Sequence, residues 1–278
     1  VWVFFSGLWR SVLEHVLLPV GLLARKIDPT RVILDESGGF ADGANFYLPY
    51  QNTATKFNDI HNYPGWRVFE NWISAFEGVG LDEEEKKLRN LPMKGPGNNV
   101  VPGLPVFLSE IGYGSIPDFQ KTNTIFKQQG NPLTATYRDH LELEKAYNQA
   151  LTESGFNKQY RTVSELATLQ HNFHGRLNRR MLEGARINPL LSGYCVHALC
   201  GGDWVLGAGL IDIWRNPKGA VYTETAKANQ ERILVMRANP RNLYAGEQIH
   251  LENFIVNELA NFSGDLIISL ESDDGTKF

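Results

Sequence analysis

Glu110 carries the sharpest chemical signal in the chain. It follows the apolar run Val106–Leu108 and precedes Gly112 and Gly114. A carboxylate fixed at the end of a rigid strand, with glycines relaxing the backbone beyond it, can serve as nucleophile or as acid. The same placement suits a glutamate that caps a neighbouring helix or pairs with an arginine, and spacing alone leaves both readings open. Other polar residues fall just past apolar runs: Ser6 and Gly7, Asp35 and Glu36, His61 to Tyr63, and the segment from His197 to Trp204. In a parallel α/β protein those strand ends form the active face. His61, Asn62 and Tyr63 can hydrogen-bond a hydroxyl-rich ligand, although a lone histidine is often structural. Trp66 and Trp204 can stack against a flat apolar ligand face or simply pack.

Other chemistries find less support. His171 and His174 are three apart in a helical pattern, a weak metal signal without further ligands. Neither a dinucleotide fingerprint nor a P-loop is present, so no cofactor is expected. Cys195 and Cys200 are the two cysteines, and in a strand their odd spacing sets them on opposite faces, against a mutual disulfide. A formal net charge of −4 lacks the basic excess that phosphate backbones demand, so neither nucleic acid nor an anionic membrane is an expected partner. The apolar N-terminal run is broken by Arg10, Glu14, His15 and Pro19, so no stretch reaches the roughly 20 apolar residues of a spanning helix.

The elements that position these residues follow from periodicity. The 278-residue chain is long enough for about two domains. Val1–Phe5 and Ser192–Leu199 read as buried strands, Val32–Leu34 and the apolar Leu104–Leu108 as short ones, and Phe57–His61 as a weak strand ending at Tyr63-Pro64-Gly65. A helix is expected from about Ser11 to Lys26, stopped by Asp28-Pro29. Asp82–Lys87 reads as a solvated charge run. Leu143, Ala146, Tyr147, Ala150 and Leu151 mark the face of one long helix, and Leu166, Leu169, Phe173, Leu177 and Met181 that of a second. From Arg232 the texture changes to alternating runs at Ile233–Met236, Gln248–Val256 and Leu266–Leu270, the look of a β-sandwich. The expected class is therefore α/β with a parallel sheet over the first 230 residues or so, followed by an all-β segment.

Four strings resemble a known family in order and spacing. Asp28-Pro29-Thr30-Arg31, Asp59-Ile60-His61-Asn62-Tyr63-Pro64-Gly65, Pro105-Val106-Phe107-Leu108-Ser109-Glu110-Ile111-Gly112, and the stretch from Gly193-Tyr194 to Asn216-Pro217-Lys218 span about 190 residues. Together they are similar to the catalytic barrel of glycoside hydrolase family 2, which includes β-galactosidases, β-glucuronidases and β-mannosidases. The resemblance implies that residues 1–229 are the C-terminal part of a (β/α)8 TIM barrel, strands four to eight. Residues 230–278 would then be the opening strands of an immunoglobulin-like β-sandwich. The first half of the barrel and its preceding sandwich domains would belong to a longer chain.

The resemblance also implies roles. Glu110 takes the place of the family's nucleophile, and retaining hydrolysis needs a second carboxyl about 5 to 5.5 Å away. The family's acid/base is a Glu directly after an Asn, with a Trp four residues before that Asn. Counted from Trp2, the pair falls on Ser6 and Gly7, and neither can protonate a leaving group. The expected substrate is a terminal β-linked sugar, with His61, Tyr63, His197, Asp203 and Trp204 as candidate binding residues. Glucuronide-specific members carry an Asn-x-Lys element where this chain has Gly202-Asp203-Trp204-Val205-Leu206, so a neutral β-galactoside is the default, and an amino sugar drawn by Asp203 stays open. Compartment stays open, as does assembly into a homo-oligomer. The alternative function is a carbohydrate-binding or assembly module that has lost catalysis.

Overall fold

The computed structural model describes residues 13–34, 37, 56–63, 72–96, 100–201, 207–239, 243–269, 271–272 and 275. Its centre is a parallel sheet of β1 (Asn58–Asn62), β2 (Val106–Ile111) and β3 (Leu191–Val196), in the order β1-β2-β3. A second sheet is the antiparallel pair β4 (Arg232–Asn239) and β5 (His250–Asn257). The helices are α1 (Leu18–Ile27), α2 (Trp72–Glu77), α3 (Glu83–Leu88), α4 (Phe119–Gln128), α5 (Ala135–Glu153), α6 (Val163–Arg186) and α7 (Ala220–Ala228). The fold among the described residues is thus mixed α/β, with one parallel and one antiparallel sheet.

Parallel neighbours need long crossovers, and the helices supply them. Between β2 and β3 the chain passes through α4, α5 and α6, each opened by a side-chain cap. Asp118 accepts from the amide of Lys121 at 3.0 Å, Thr134 from Tyr137 at 3.2 Å and Thr162 from Glu165 at 3.1 Å. Helix α6 lays Met181, Leu182 and Ala185 against Ile60 of β1 and Val106, Leu108 and Ile111 of β2, with Phe76 and Val79 closing the core. A second cluster joins Phe119, Leu151 and Val163 at the meeting of α4, α5 and α6.

The buried stripe of α6 differs from the expected one. Leu177 and Met181 are buried, but Leu169 and Phe173 are exposed, and Ala167, His174 and Asn178 take the inner face instead. Those two polar side chains can be buried because each is bonded: His174 to Ser115 and Asn178 to the Tyr113 amide. Leu143 and Tyr147 pack on the second cluster with Leu151, while Ala146 and Ala150 face solvent.

Other expectations also shift. Val32–Leu34 forms no strand, and Val32 is largely exposed. Residues 266–269 form no strand either. The Val1–Phe5 strand lies outside the described residues. The N-terminal helix opens as a π-turn at Leu13–Leu17 and continues as α1, where Pro19 sits in the first turn and its missing N–H costs no bond. Both thiols are free, with Cys195 on β3 and Cys200 beyond it.

Candidate functional site

Glu110 does not follow β2, as its sequence suggests; it lies inside the strand, next to its last residue. Strict alternation from Val106 and Leu108 would aim Glu110 into the core. An irregularity prevents this. Ile60 pairs with Leu108, but His61 pairs with Glu110, so Ser109 has no opposite number on β1. A bulge of this kind re-aims the following side chains. Ile111 is thereby kept in the core, and Glu110 is turned out of it, half-buried at the carboxyl end of the sheet.

The same register brings His61 beside the carboxylate. His61 Nε2 lies 2.9 Å from Glu110 Oε2, and the Tyr63 hydroxyl donates to that same oxygen. The His61 and Tyr63 rings meet edge to face at 5.1 Å, and Tyr63 meets His197 in the same manner at 5.5 Å. His197 sits just past β3 rather than within it. Its amide donates to Ile111 O at 2.8 Å, which fixes the turn after β3 against the end of β2. Glu110, His61, Tyr63 and His197 therefore converge at the carboxyl ends of three adjacent parallel strands.

Burial, followed by the hydrogen bond to Glu110 and its charge, pushes the Tyr63 hydroxyl well above the usual tyrosine range. Tyr63 is therefore a fixed donor at ordinary pH, and Glu110 has one oxygen doubly held and the other without a hydrogen bond among the described residues.

Deeper support comes from residues that spacing did not single out. Asp59, fully buried on β1, accepts from Ser37 Oγ at 2.7 Å, and Ser109 Oγ donates to Ile60 O at 3.2 Å. The sequence of β1, Asn58-Asp59-Ile60-His61-Asn62, has a single apolar residue, so nothing in its pattern marked Asp59 as buried. Asn178 of α6 accepts from the Tyr113 amide at 3.1 Å and so pins the segment after Glu110.

Ser6, Gly7, Asp35, Glu36, Trp66, Asp203 and Trp204 lie outside the described residues. His171 and His174 share a face of α6, but each has a protein partner: His171 Nε2 donates to Ile116 O, and His174 Nδ1 meets Ser115 Oγ at 2.9 Å. No cluster of three metal-ligating side chains occurs among the described residues.

No family model and no curated protein matches this sequence. Among solved structures, the chain is similar to the crystal structure of a β-D-mannosidase from Dictyoglomus thermophilum, with 19% identity and a TM-score of 0.37. That similarity covers 72% of this chain and 21% of the mannosidase, so it spans about a fifth of the relative's length.

Proposed function

We propose that this chain is part of a retaining glycoside hydrolase of the family 2 type, acting on terminal β-linked sugars with Glu110 as nucleophile. The observation that carries the reading is the Glu110 carboxylate at the carboxyl end of a parallel strand, one oxygen held by His61 and Tyr63. It coincides with the four ordered motifs that resemble the family. On this reading residues 1–229 contribute barrel strands four to eight and residues 230–278 begin an immunoglobulin-like sandwich.

The chemistry is a double displacement. The free Glu110 oxygen attacks the anomeric carbon while the glycosidic bond breaks and its electron pair leaves with the aglycone oxygen. Water then attacks the same carbon and releases Glu110. The hydrogen bonds from His61 and Tyr63 stabilise Glu110 as a carboxylate and aim its other oxygen, and His197 braces Tyr63 beside the sugar. Asp203 and Trp204 extend the sugar wall in this proposal. A neutral β-galactoside is the first substrate to try.

Gly7 at the acid/base position supports a second reading, a carbohydrate-binding or assembly module without turnover. Loss of general-acid help costs about 10²- to 10⁴-fold, most for poor leaving groups. The separating experiment therefore uses 2-fluoro glycosides with dinitrophenyl leaving groups, which depart unprotonated. A label mapped to Glu110 by mass spectrometry, absent in Glu110→Gln, supports the hydrolase. A folded chain that binds sugar and takes no label supports the module.

A further inference from the structure

A cavity of about 310 Å³ lies apart from the Glu110 cluster, between α4, α6 and the segment that leads into α7. Its walls include Lys121 and Thr122 of α4, His171 of α6, and Asp212, Lys218 and Gly219 ahead of α7. Like the Glu110 cluster it is built from segments beyond the carboxyl ends of β2 and β3, the side on which open α/β sheets bind ligands.

The charges around this cavity are unevenly satisfied. Asp118 is compensated: its Oδ1 accepts from the Lys121 amide and from Ser164 Oγ at 2.5 Å. Asp212 is compensated too, by the amides of Trp214 and Asn216, each at 2.9 Å, and by Lys121 Nζ at 3.7 Å. Lys218 is not. Only 6% exposed, it donates to the carbonyls of Ala208 at 3.2 Å and Gly207 at 3.5 Å, and no carboxylate among the described residues pairs with it.

Three further donors on the same wall lack acceptors among the described residues. Thr122 is 4% exposed, and its hydroxyl makes no hydrogen bond among the described residues. Helix α7 has Gly219 as its N-cap and therefore no side-chain cap, and the amides of Gly219 and Ala220 find no acceptor among the described residues. Free amides at a helix start carry partial positive charge toward the cavity.

We propose that this cavity binds a small tetrahedral oxyanion, held by the Lys218 ammonium, the Thr122 hydroxyl and the first amides of α7. The donor set is that of a phosphate group, free or carried on a small ester, since a helix start and an ammonium supply both charge and direction. The site is independent of the role given to Glu110.

Protonation of Lys218 couples to binding. Burial depresses its pKa to about 8, with Asp212 opposing; Asp118 and Lys121 beside and on α4, His140 of α5, and His171 and His174 of α6 are the other charged or titratable groups around it. An anion binds the ammonium form, so affinity is full below pH 8 and falls about tenfold per pH unit above it.

The test is calorimetric titration of the full chain with sodium sulfate, whose charge is constant from pH 6.5 to 9.5, against sodium chloride of equal ionic strength. Saturable sulfate binding that weakens above pH 8, falls tenfold or more in Lys218→Met and falls severalfold in Thr122→Val supports the site. Thr122→Val keeps the test informative if Lys218→Met does not fold. Inorganic phosphate compared with glycerol 3-phosphate then separates a free anion from an ester. Absence of saturable binding in the folded chain, or binding that Thr122→Val leaves unchanged, overturns the proposal.

Discussion

Gly112 sits so close to His197 that a Cβ built on it would lie 2.5 Å from the His197 carbonyl oxygen. That is nearer than real Cβ atoms approach backbone, and the obstacle is main chain rather than a flexible side-chain tip. The end of β2 and the turn after β3 can therefore touch only because residue 112 has no side chain. Gly112→Ala is expected to push the two apart, to cost about 1 to 3 kcal/mol, and to shift His197 away from Tyr63. Urea denaturation reads the first effect and sugar affinity the second. Unchanged stability and affinity would show that the contact is slack.

Tyr63→Phe removes one donor from Glu110 and leaves the ring in its edge-to-face contacts with His61 and His197. A hydrogen bond to a charged group is worth about 1.5 to 3 kcal/mol, so the rate of 2-fluoro glycoside labelling should fall about 10- to 150-fold. Because burial and Glu110 hold the Tyr63 hydroxyl protonated, the wild-type rate should not decline at the ordinary tyrosine pKa near 10. A rate that drops there, or a variant as fast as wild type, would remove Tyr63 from the support proposed for Glu110.

Strands β2 and β3 were legible because short apolar runs ending in polar residues are what a sheet covered by helices requires, whereas β1 has Ile60 as its one apolar residue and showed only as a weak strand. The convergence of His61, Tyr63, Glu110 and His197 followed from their common place at strand ends. The orientation of Glu110 was not legible. Valine, leucine and glutamate at 106, 108 and 110 keep a clean period of two, and only the skipped partner at Ser109 turns the carboxylate outward. Helix α4 escaped notice because its sequence, Phe119 to Gln128, is mostly polar, and its start depends on the Asp118 cap. The inner face of α6 was misplaced for a related reason. Hydrophobicity alone favours Leu169 and Phe173, whereas tertiary hydrogen bonds make His174 and Asn178 the buried residues.

Arg237 of β4 donates to Glu77 at the end of α2, and it also bonds Glu252 of β5. This joins the antiparallel pair to the α/β layer through a carboxylate that is only 1% exposed. Removing one partner strands the other charge in the interior, so Glu77→Gln or Arg237→Met is expected to cost about 3 to 5 kcal/mol. The double variant Glu77→Gln with Arg237→Met should be less destabilised than the sum of the two single changes. Urea unfolding of the four proteins forms the cycle, and simple additivity would mean that the pair contributes no coupling.

His174 sets an acid limit on stability. Burial first, then the charges of Lys218 and His171, push its pKa down to about 3. In the unfolded chain a histidine titrates near 6.5. Above that pH it is neutral in both states and no stability is lost. As pH falls below 6.5 the unfolded chain takes up a proton that the folded one refuses, so stability declines by up to about 1.4 kcal/mol per pH unit until the folded pKa is reached. His171, also lowered mainly by burial, acts in the same direction. Between pH 6.5 and 5, where the carboxylates of the unfolded chain still contribute little, urea midpoints should fall for the wild type. In His174→Gln, which keeps a hydrogen-bonding partner for Ser115 without a titrating ring, that slope should shrink by about one proton. Equal slopes in the two proteins would mean that His174 reaches solvent and protonates in the folded state.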